Sequence, residues 1–150
     1  MDIHDLIPQD KHDFETVRKL QHYNKEELSP IIPDLLMWLQ DMNWPIADEI
    51  KKLLLIFNED LVPHVRSILL TDDGEWKFWI VTCLLKEVMP EVLLLLKPDL
   101  ERIRDYPTED ETYSEVNVEV NELLNRLIRN QLKGRTHLTH EHYRDRRSYY

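Results

Sequence analysis

The stretch from residue 73 to residue 88 limits what this chain can fold into more than any other part does. Residues 76–85 are apolar except for Lys77 and Thr82. A helix that is apolar on nearly every side is a buried helix, because it has no face suited to water. Acidic residues precede this stretch and Pro90 follows it, as expected at the two ends of a helix. The sequence therefore predicts a central helix that other helices surround.

Amphipathic segments lie on both sides of this helix. Each repeats apolar residues every three or four positions, which is typical of a helix with one buried face. The segments are residues 14–23, 30–41, 45–57, 60–70, 91–106 and 109–131. Asn43 is a candidate N-cap for the helix that starts at Pro45. Pro98 falls inside residues 91–106 and is expected to kink or split that helix.

A short motif recurs along these segments. Pro33, Pro63 and Pro98 each begin the pattern Pro-x-apolar-x-x-apolar, and successive prolines are 30 and 35 residues apart. Such periodicity is typical of helix pairs that stack on their neighbours. We predict an all-α fold of about seven helices, a short right-handed stack of antiparallel helix pairs of the HEAT/armadillo-like superhelical type. The repeat is shorter than the ~40–47 residues usual for HEAT, so the stack is HEAT-like.

Four sequence strings carry a resemblance to a known family. They are LIPQDKHD, LLMWLQDMNWPIA, EWKFWIV and LLLLKPDLERI, and LQDMNWP (residues 39–45) is the most specific part. Over residues 6–130 the chain resembles a bacterial family known only as a domain of unknown function, whose members look like small helical-repeat proteins. The resemblance implies the fold, and it brings no activity or catalytic residue with it. Residues from Leu132 onward depart from the family pattern.

Charge divides the chain into two parts. Residues 1–131 carry 27 acidic residues against 14 Lys and Arg, whereas residues 132–150 carry 2 against 5. We therefore predict a helical-repeat domain over residues 1–131 and a basic, mobile tail over residues 132–150. A net charge of −10 makes nucleic acid an improbable partner, because binding to it depends on Lys and Arg. Without a leader or a membrane-spanning apolar run, we expect a cytoplasmic protein.

Acidic residues gather at the predicted turns and helix ends. If they share one edge of the stack, they present a negative surface to a basic protein or peptide. Each of them also fits a simpler role as a helix cap or as a partner for a helix dipole. Trp44 borders a turn and is the tryptophan we expect to reach solvent as an interface anchor. The interaction candidates are Trp44, Asp41, Asp48, Glu49, Asp72, Asp73 and Glu75.

These features predict a non-enzymatic protein-interaction module without a cofactor. One form of it is an immunity protein, a small acidic domain that masks the active site of a basic toxin. The alternatives are a metal- or carboxylate-dependent hydrolase and a nucleic-acid-binding helical repeat. The chain contains no P-loop, no nucleophile elbow and only two glycines. His137, His140 and His142 are weak candidates for a transition-metal site, since they lie in the predicted tail.

Overall fold

A computed structural model describes residues 2–140 of this protein, with side chains described as far as Lys133. Every regular element in this part of the chain is helical, which confirms the predicted all-α fold. The α-helices are α1 (Phe14–Leu20), α2 (Lys25–Leu28), α3 (Ile32–Leu36), α4 (Ala47–Leu54), α5 (Val62–Leu69), α6 (Gly74–Trp79), α7 (Pro90–Asp105), α8 (Glu109–Tyr113) and α9 (Val116–His140).

Helices pack on their immediate neighbours along the chain and also on helices further along it. Helix α3 contacts α4, α5 contacts α7, and α6 contacts both α8 and α9. Helices α7 and α9 share the most extensive contact. One continuous cluster of buried apolar side chains extends from Leu6 to Leu127. This arrangement is compatible with stacked helix pairs, while the superhelical form of the stack stays a prediction.

The predicted central helix lies inside this core. Its first part is α6, and a π-helical turn, Ile80–Leu84, continues it. The Leu85 amide donates to the Ile80 carbonyl at 2.9 Å, five residues back instead of four. Asp73 caps the start of α6, since its Oδ1 accepts the Trp76 amide at 3.0 Å. No residue from 76 to 85 is exposed and five of the ten are fully buried, which confirms that this stretch belongs to the core. The other five residues are partly buried, so one side of the segment lies nearer the surface than predicted.

Several predicted helix boundaries are wrong. Helix α7 runs without a break through Pro98, whose exposed ring faces away from the core. The predicted helix over residues 109–131 is instead two helices, because Glu115 between them adopts a left-handed φ of 61°. Helix α9 then continues beyond residue 131 to His140. The helix is therefore interrupted at Glu115, whereas it continues through Pro98.

The two helices before α5 are shorter than predicted. Helix α3 spans only Ile32–Leu36, and 3-10 turns flank it on both sides. Helix α4 starts at Ala47 after Ile46, so Pro45 does not begin it and Asn43 does not cap it. Instead, the Asn43 amide donates to the Asp41 carboxylate in the preceding turn at 2.9 Å.

The predicted mobile tail lies largely outside the part of the chain that the structure describes, which ends at residue 140 and, for side chains, at Lys133. Within residues 2–140, no helix combines the length and apolar character that crossing a lipid bilayer requires.

Candidate functional site

A buried lysine organises the surface around the start of α6. The Lys77 side chain is only 1% exposed, and its Nζ donates to Asp110 and to Glu111, each at 2.8 Å. Glu111 is itself 0% exposed. An ammonium group without partners would cost several kcal/mol to bury. The two carboxylates of α8 are therefore what allows a lysine in the central apolar helix.

Arg102 of α7 completes this ion network. Its two terminal nitrogens donate to the two oxygens of Glu111 at 2.6 and 2.8 Å. The planar guanidinium group suits this bidentate pairing with a carboxylate. The Thr108 amide donates to Glu111 Oε1 at 2.9 Å and closes a capping box at the start of α8. Glu111 thus joins α6, α7 and α8, and two carboxylates balance two cations.

The hydrogen bonds keep Glu111 ionised. Burial by itself would raise the pKa of Glu111, but hydrogen bonds from Arg102, Lys77 and the Thr108 amide lower it to about 2. Burial would likewise raise the pKa of Asp110, and hydrogen bonds from Lys77 and Thr108 lower it. A general acid needs a raised carboxyl pKa, so these groups are suited to holding structure together.

Gly74 brings the start of α6 directly against the backbone of α8. A Cβ at this position would lie 2.3 Å from the Asp110 carbonyl oxygen and 2.7 Å from Ser114 Oγ. Only glycine permits so close an approach. The first turn of α6 and the junction between α8 and α9 therefore form one surface.

This surface carries most of the candidate acids that have no partner. Two shallow depressions lie side by side on it and share Ser114 in their walls. Asp110 also lines one depression but pairs with Lys77. We call the other carboxylates in and beside the depressions the acidic face: Asp72, Asp73, Glu75, Glu109, Glu115 and Glu119. Among the side chains described, none of the six has a Lys, Arg or His nitrogen within 4.0 Å. The acidic face is thus without internal counterions.

A second candidate region lies on α3 and the turns that follow it. Trp38 and Trp44 pack edge to face, with ring centroids 5.6 Å apart and planes at 70°. The two indoles line a cavity of about 260 Å³ together with Ile7, Asp34, Met37 and Gln40, and we call it the tryptophan pocket.

An apolar cleft of about 350 Å³ lies next to the tryptophan pocket, and we call it the Trp76 cleft. Trp76, Leu36 and Ile68 form part of its walls. The Trp76 indole donates to the Leu36 carbonyl at 3.2 Å, which fixes the ring. Met37 lines both cavities and is 51% exposed, so a flexible side chain separates them.

Comparison with known proteins places the chain in a family. The model of a family described as Domain of unknown function (DUF5071) matches residues 6–124, which is most of the chain. The chain belongs to the DUF5071 family. This confirms the family resemblance seen in the sequence, while the HEAT-like repeat and the bacterial origin stay predictions. No curated protein matches the sequence. The DUF5071 match includes the ion network, the acidic face and the tryptophan pocket.

The structure separates the interaction candidates of this DUF5071 chain into different places. Asp72, Asp73 and Glu75 belong to the acidic face. Asp48 and Glu49 instead pair with lysines one turn away on α4, at 3.1–3.3 Å. These pairs and the turn that holds Asp41 are typical of the local role of surface acids.

Trp44 is partly buried against Trp38 and lines the tryptophan pocket, so less of its side chain reaches solvent than predicted. The histidine candidates His137, His140 and His142 lie outside the part of the chain with described side chains. Among the side chains that are described, no group of three His, Cys, Asp or Glu residues is placed to hold a metal ion.

Sequence reasoning missed the ion network and the tryptophan pocket. Lys77 is visible as one of two polar residues in an apolar stretch, and three consecutive acids, residues 109–111, follow Pro107 and Thr108. A charge inside a buried helix needs an opposite charge, which is a usable signal. Nothing in the sequence indicated that Asp34 and Trp38 would share a cavity with Trp44.

Proposed function

We propose that this DUF5071 protein is a non-enzymatic interaction module whose acidic face binds a basic protein or peptide. One observation carries the proposal: six carboxylates lie together between α6 and the α8–α9 junction, and none has a basic partner among the described side chains. Like charges without counterions create a field that attracts a cationic surface and speeds its association. A basic partner supplies the missing counterions.

The shape of this surface and its aromatic rim support a macromolecular partner. The two depressions are shallow and adjoin one another, whereas small-molecule sites are deep and mostly apolar. Tyr113 lines one of them and is 90% exposed, the highest exposure among the large apolar side chains described. Exposed tyrosines of this kind are common anchors at protein interfaces.

The chemistry of the carboxylates gives less support to a hydrolase. A carboxyl general acid needs a raised pKa. In the described part of the chain, six Asp and Glu residues have a pKa that clearly departs from the usual value, and in all six the pKa is lowered. A nucleic-acid ligand would meet the wrong charge at the acidic face.

Neutralising the acidic face tests the proposal. The face variant is Asp72→Asn, Glu75→Gln, Glu109→Gln and Glu119→Gln, which leaves the cap Asp73 and the strained Glu115 unchanged. The control variant neutralises four carboxylates that have no basic partner on other surfaces: Asp5→Asn, Glu26→Gln, Glu59→Gln and Glu91→Gln. Both variants lose the same charge, so only the position of the lost charge differs between them.

Affinity capture from the source cell, with the three proteins in parallel, then gives the comparison. We expect the wild type and the control variant to retain the same basic protein, and the face variant to bind it about tenfold or more weakly in a titration. Added salt should weaken the wild-type complex. If the partner is a toxin, the wild type and the control should also inhibit its activity. Equal losses in the two variants, or no loss in the face variant, would refute a specific role for this face.

A further inference from the structure

The tryptophan pocket has the chemistry of a cation site. Trp38 belongs to the 3-10 turn Met37–Leu39, and Trp44 belongs to the turn before α4, so two chain segments bring their indoles together at 70°. The face of an indole ring carries partial negative charge and attracts ammonium and guanidinium groups. Two rings at a steep angle offer a bound cation more than one electron-rich surface.

Asp34 adds a full negative charge to the same cavity. It is partly buried, and none of the described Lys, Arg or His side chains comes within 4.0 Å of its carboxylate. A partly desolvated carboxylate is stabilised when an opposite charge approaches it. The remaining walls, from Ile7, Met37 and Gln40, contribute no charge. The cavity therefore favours a ligand that is cationic at its tip and apolar along its stem.

The size of the cavity limits the ligand. Sites for drug-sized ligands or cofactors usually occupy about 300–1,000 Å³. The tryptophan pocket, at about 260 Å³, is closer to the size of one long side chain. The adjoining Trp76 cleft is apolar and separated only by Met37, so a polypeptide with a neighbouring apolar residue can occupy both cavities.

We propose that the tryptophan pocket binds the side chain of a lysine or arginine from a partner polypeptide, with the cation between Asp34 and the two indoles. This site shares no residue with the acidic face. It extends the proposed function, because it specifies how one basic residue of a partner is recognised. It stands even if binding at the acidic face fails, and the experiment below separates the two.

The test uses four small probes on the full-length protein. The cationic probes are the Nα-acetyl methylamides of lysine and arginine, and the neutral ones are the same derivatives of norleucine and citrulline. The readout is the ¹H–¹⁵N signal of each tryptophan indole, assigned with single Trp→Phe variants. We expect the cationic probes to shift the signals of Trp38 and Trp44, and the neutral probes to leave them in place.

Two single substitutions locate the charge that matters. Asp34→Asn keeps the shape of the side chain and should weaken binding of the cationic probes about three- to tenfold. Asp72→Asn removes the same charge from the acidic face and should leave probe binding unchanged. Trp44→Leu, checked for its fold by circular dichroism, should abolish the shift at Trp38.

Several results would overturn this proposal. Equal shifts with charged and neutral probes would mean that the pocket selects apolar bulk. Absence of shifts with every probe would mean that the two indoles serve packing alone. Equal weakening by Asp34→Asn and Asp72→Asn would assign the effect to total charge. None of these results bears on whether the acidic face binds its own partner.

Discussion

Replacing Lys77 with methionine tests whether the ion network holds α6 and α8 together. Methionine fills a similar volume but leaves the fully buried Glu111 without one of its two cations. Removing one partner of a buried ion pair typically costs about 3–5 kcal/mol. Since Arg102 still holds Glu111 through two hydrogen bonds, we expect the free energy of unfolding to fall by about 3 kcal/mol, at the low end of this range.

A double-mutant cycle measures the coupling itself. Glu111→Gln also removes one charge from the network and leaves Lys77 and Arg102 short of an anion. The double variant Lys77→Met with Glu111→Gln removes one charge of each sign. We expect its cost to be smaller than the sum of the single costs by about 2 kcal/mol. Urea unfolding followed by tryptophan fluorescence gives all the values, since Trp76 and Trp79 lie near Lys77 in α6.

Acid provides an independent measure of the same network. The pKa of Glu111 is lowered from 4.5 to about 2 in the folded protein. A lowered carboxyl pKa stabilises the fold above pH 4.5, and this stabilisation disappears as the pH falls toward 2. Its full size is about 3 kcal/mol. Unfolding free energies measured across this range should fall more steeply for the wild type than for Glu111→Gln.

A surface lysine supplies the control for this prediction. Lys86 is exposed, and Lys86→Met should change the stability by no more than about 0.5 kcal/mol. The ion network does not couple α6 to α8 if Lys77→Met is as harmless as Lys86→Met or if the two costs in the cycle simply add. Parallel acid profiles for the wild type and Glu111→Gln would also refute this coupling.

Three further substitutions test local features of the fold by thermal or urea unfolding. Gly74→Ala should destabilise by about 1–3 kcal/mol, because its Cβ would meet the Asp110 carbonyl oxygen at 2.3 Å; a stabilised variant would contradict this contact. Asn58→Gly should stabilise the fold by about 0.5–1 kcal/mol, because Asn58 has φ 51° and ψ −119°, a conformation that glycine adopts without strain. A loss of stability in this variant would argue against strain at Asn58. Asp73→Ala should cost about 1 kcal/mol through loss of the α6 cap, and Asp72→Ala should cost less; equal costs would remove the cap from the explanation.

The sequence predicted the all-α class and the burial of residues 76–85 because both depend on the spacing of apolar residues. That spacing reflects the period of a helix directly. It also located acids of the acidic face, since Asp72, Asp73 and Glu75 precede or begin the central helix. These properties are local, so one sequence is enough to infer them.

The sequence could not predict features that depend on how distant segments meet. Lys77 is buried because Glu111, 34 residues later, reaches it across a helix contact. The break at Glu115 also went unseen, since a left-handed φ is uncommon for glutamate. Conversely, Pro98 disfavours a helix locally, yet α7 continues because the residues around it pack into the core.

The π-helical turn at Ile80–Leu84 makes the length of this segment as important as its composition. In a π-helical turn each amide bonds to the carbonyl five residues back instead of four, so the turn contains one residue more than an α-helical turn. Deleting one residue here would restore ordinary α-helical bonding and would leave the side chains before and after the turn in nearly the same directions, because the wider turn already accommodates that residue. Lys77 would then keep its anions, whereas one more inserted residue would rotate Lys77 by about 100° away from them, so this segment should tolerate a one-residue deletion better than a one-residue insertion.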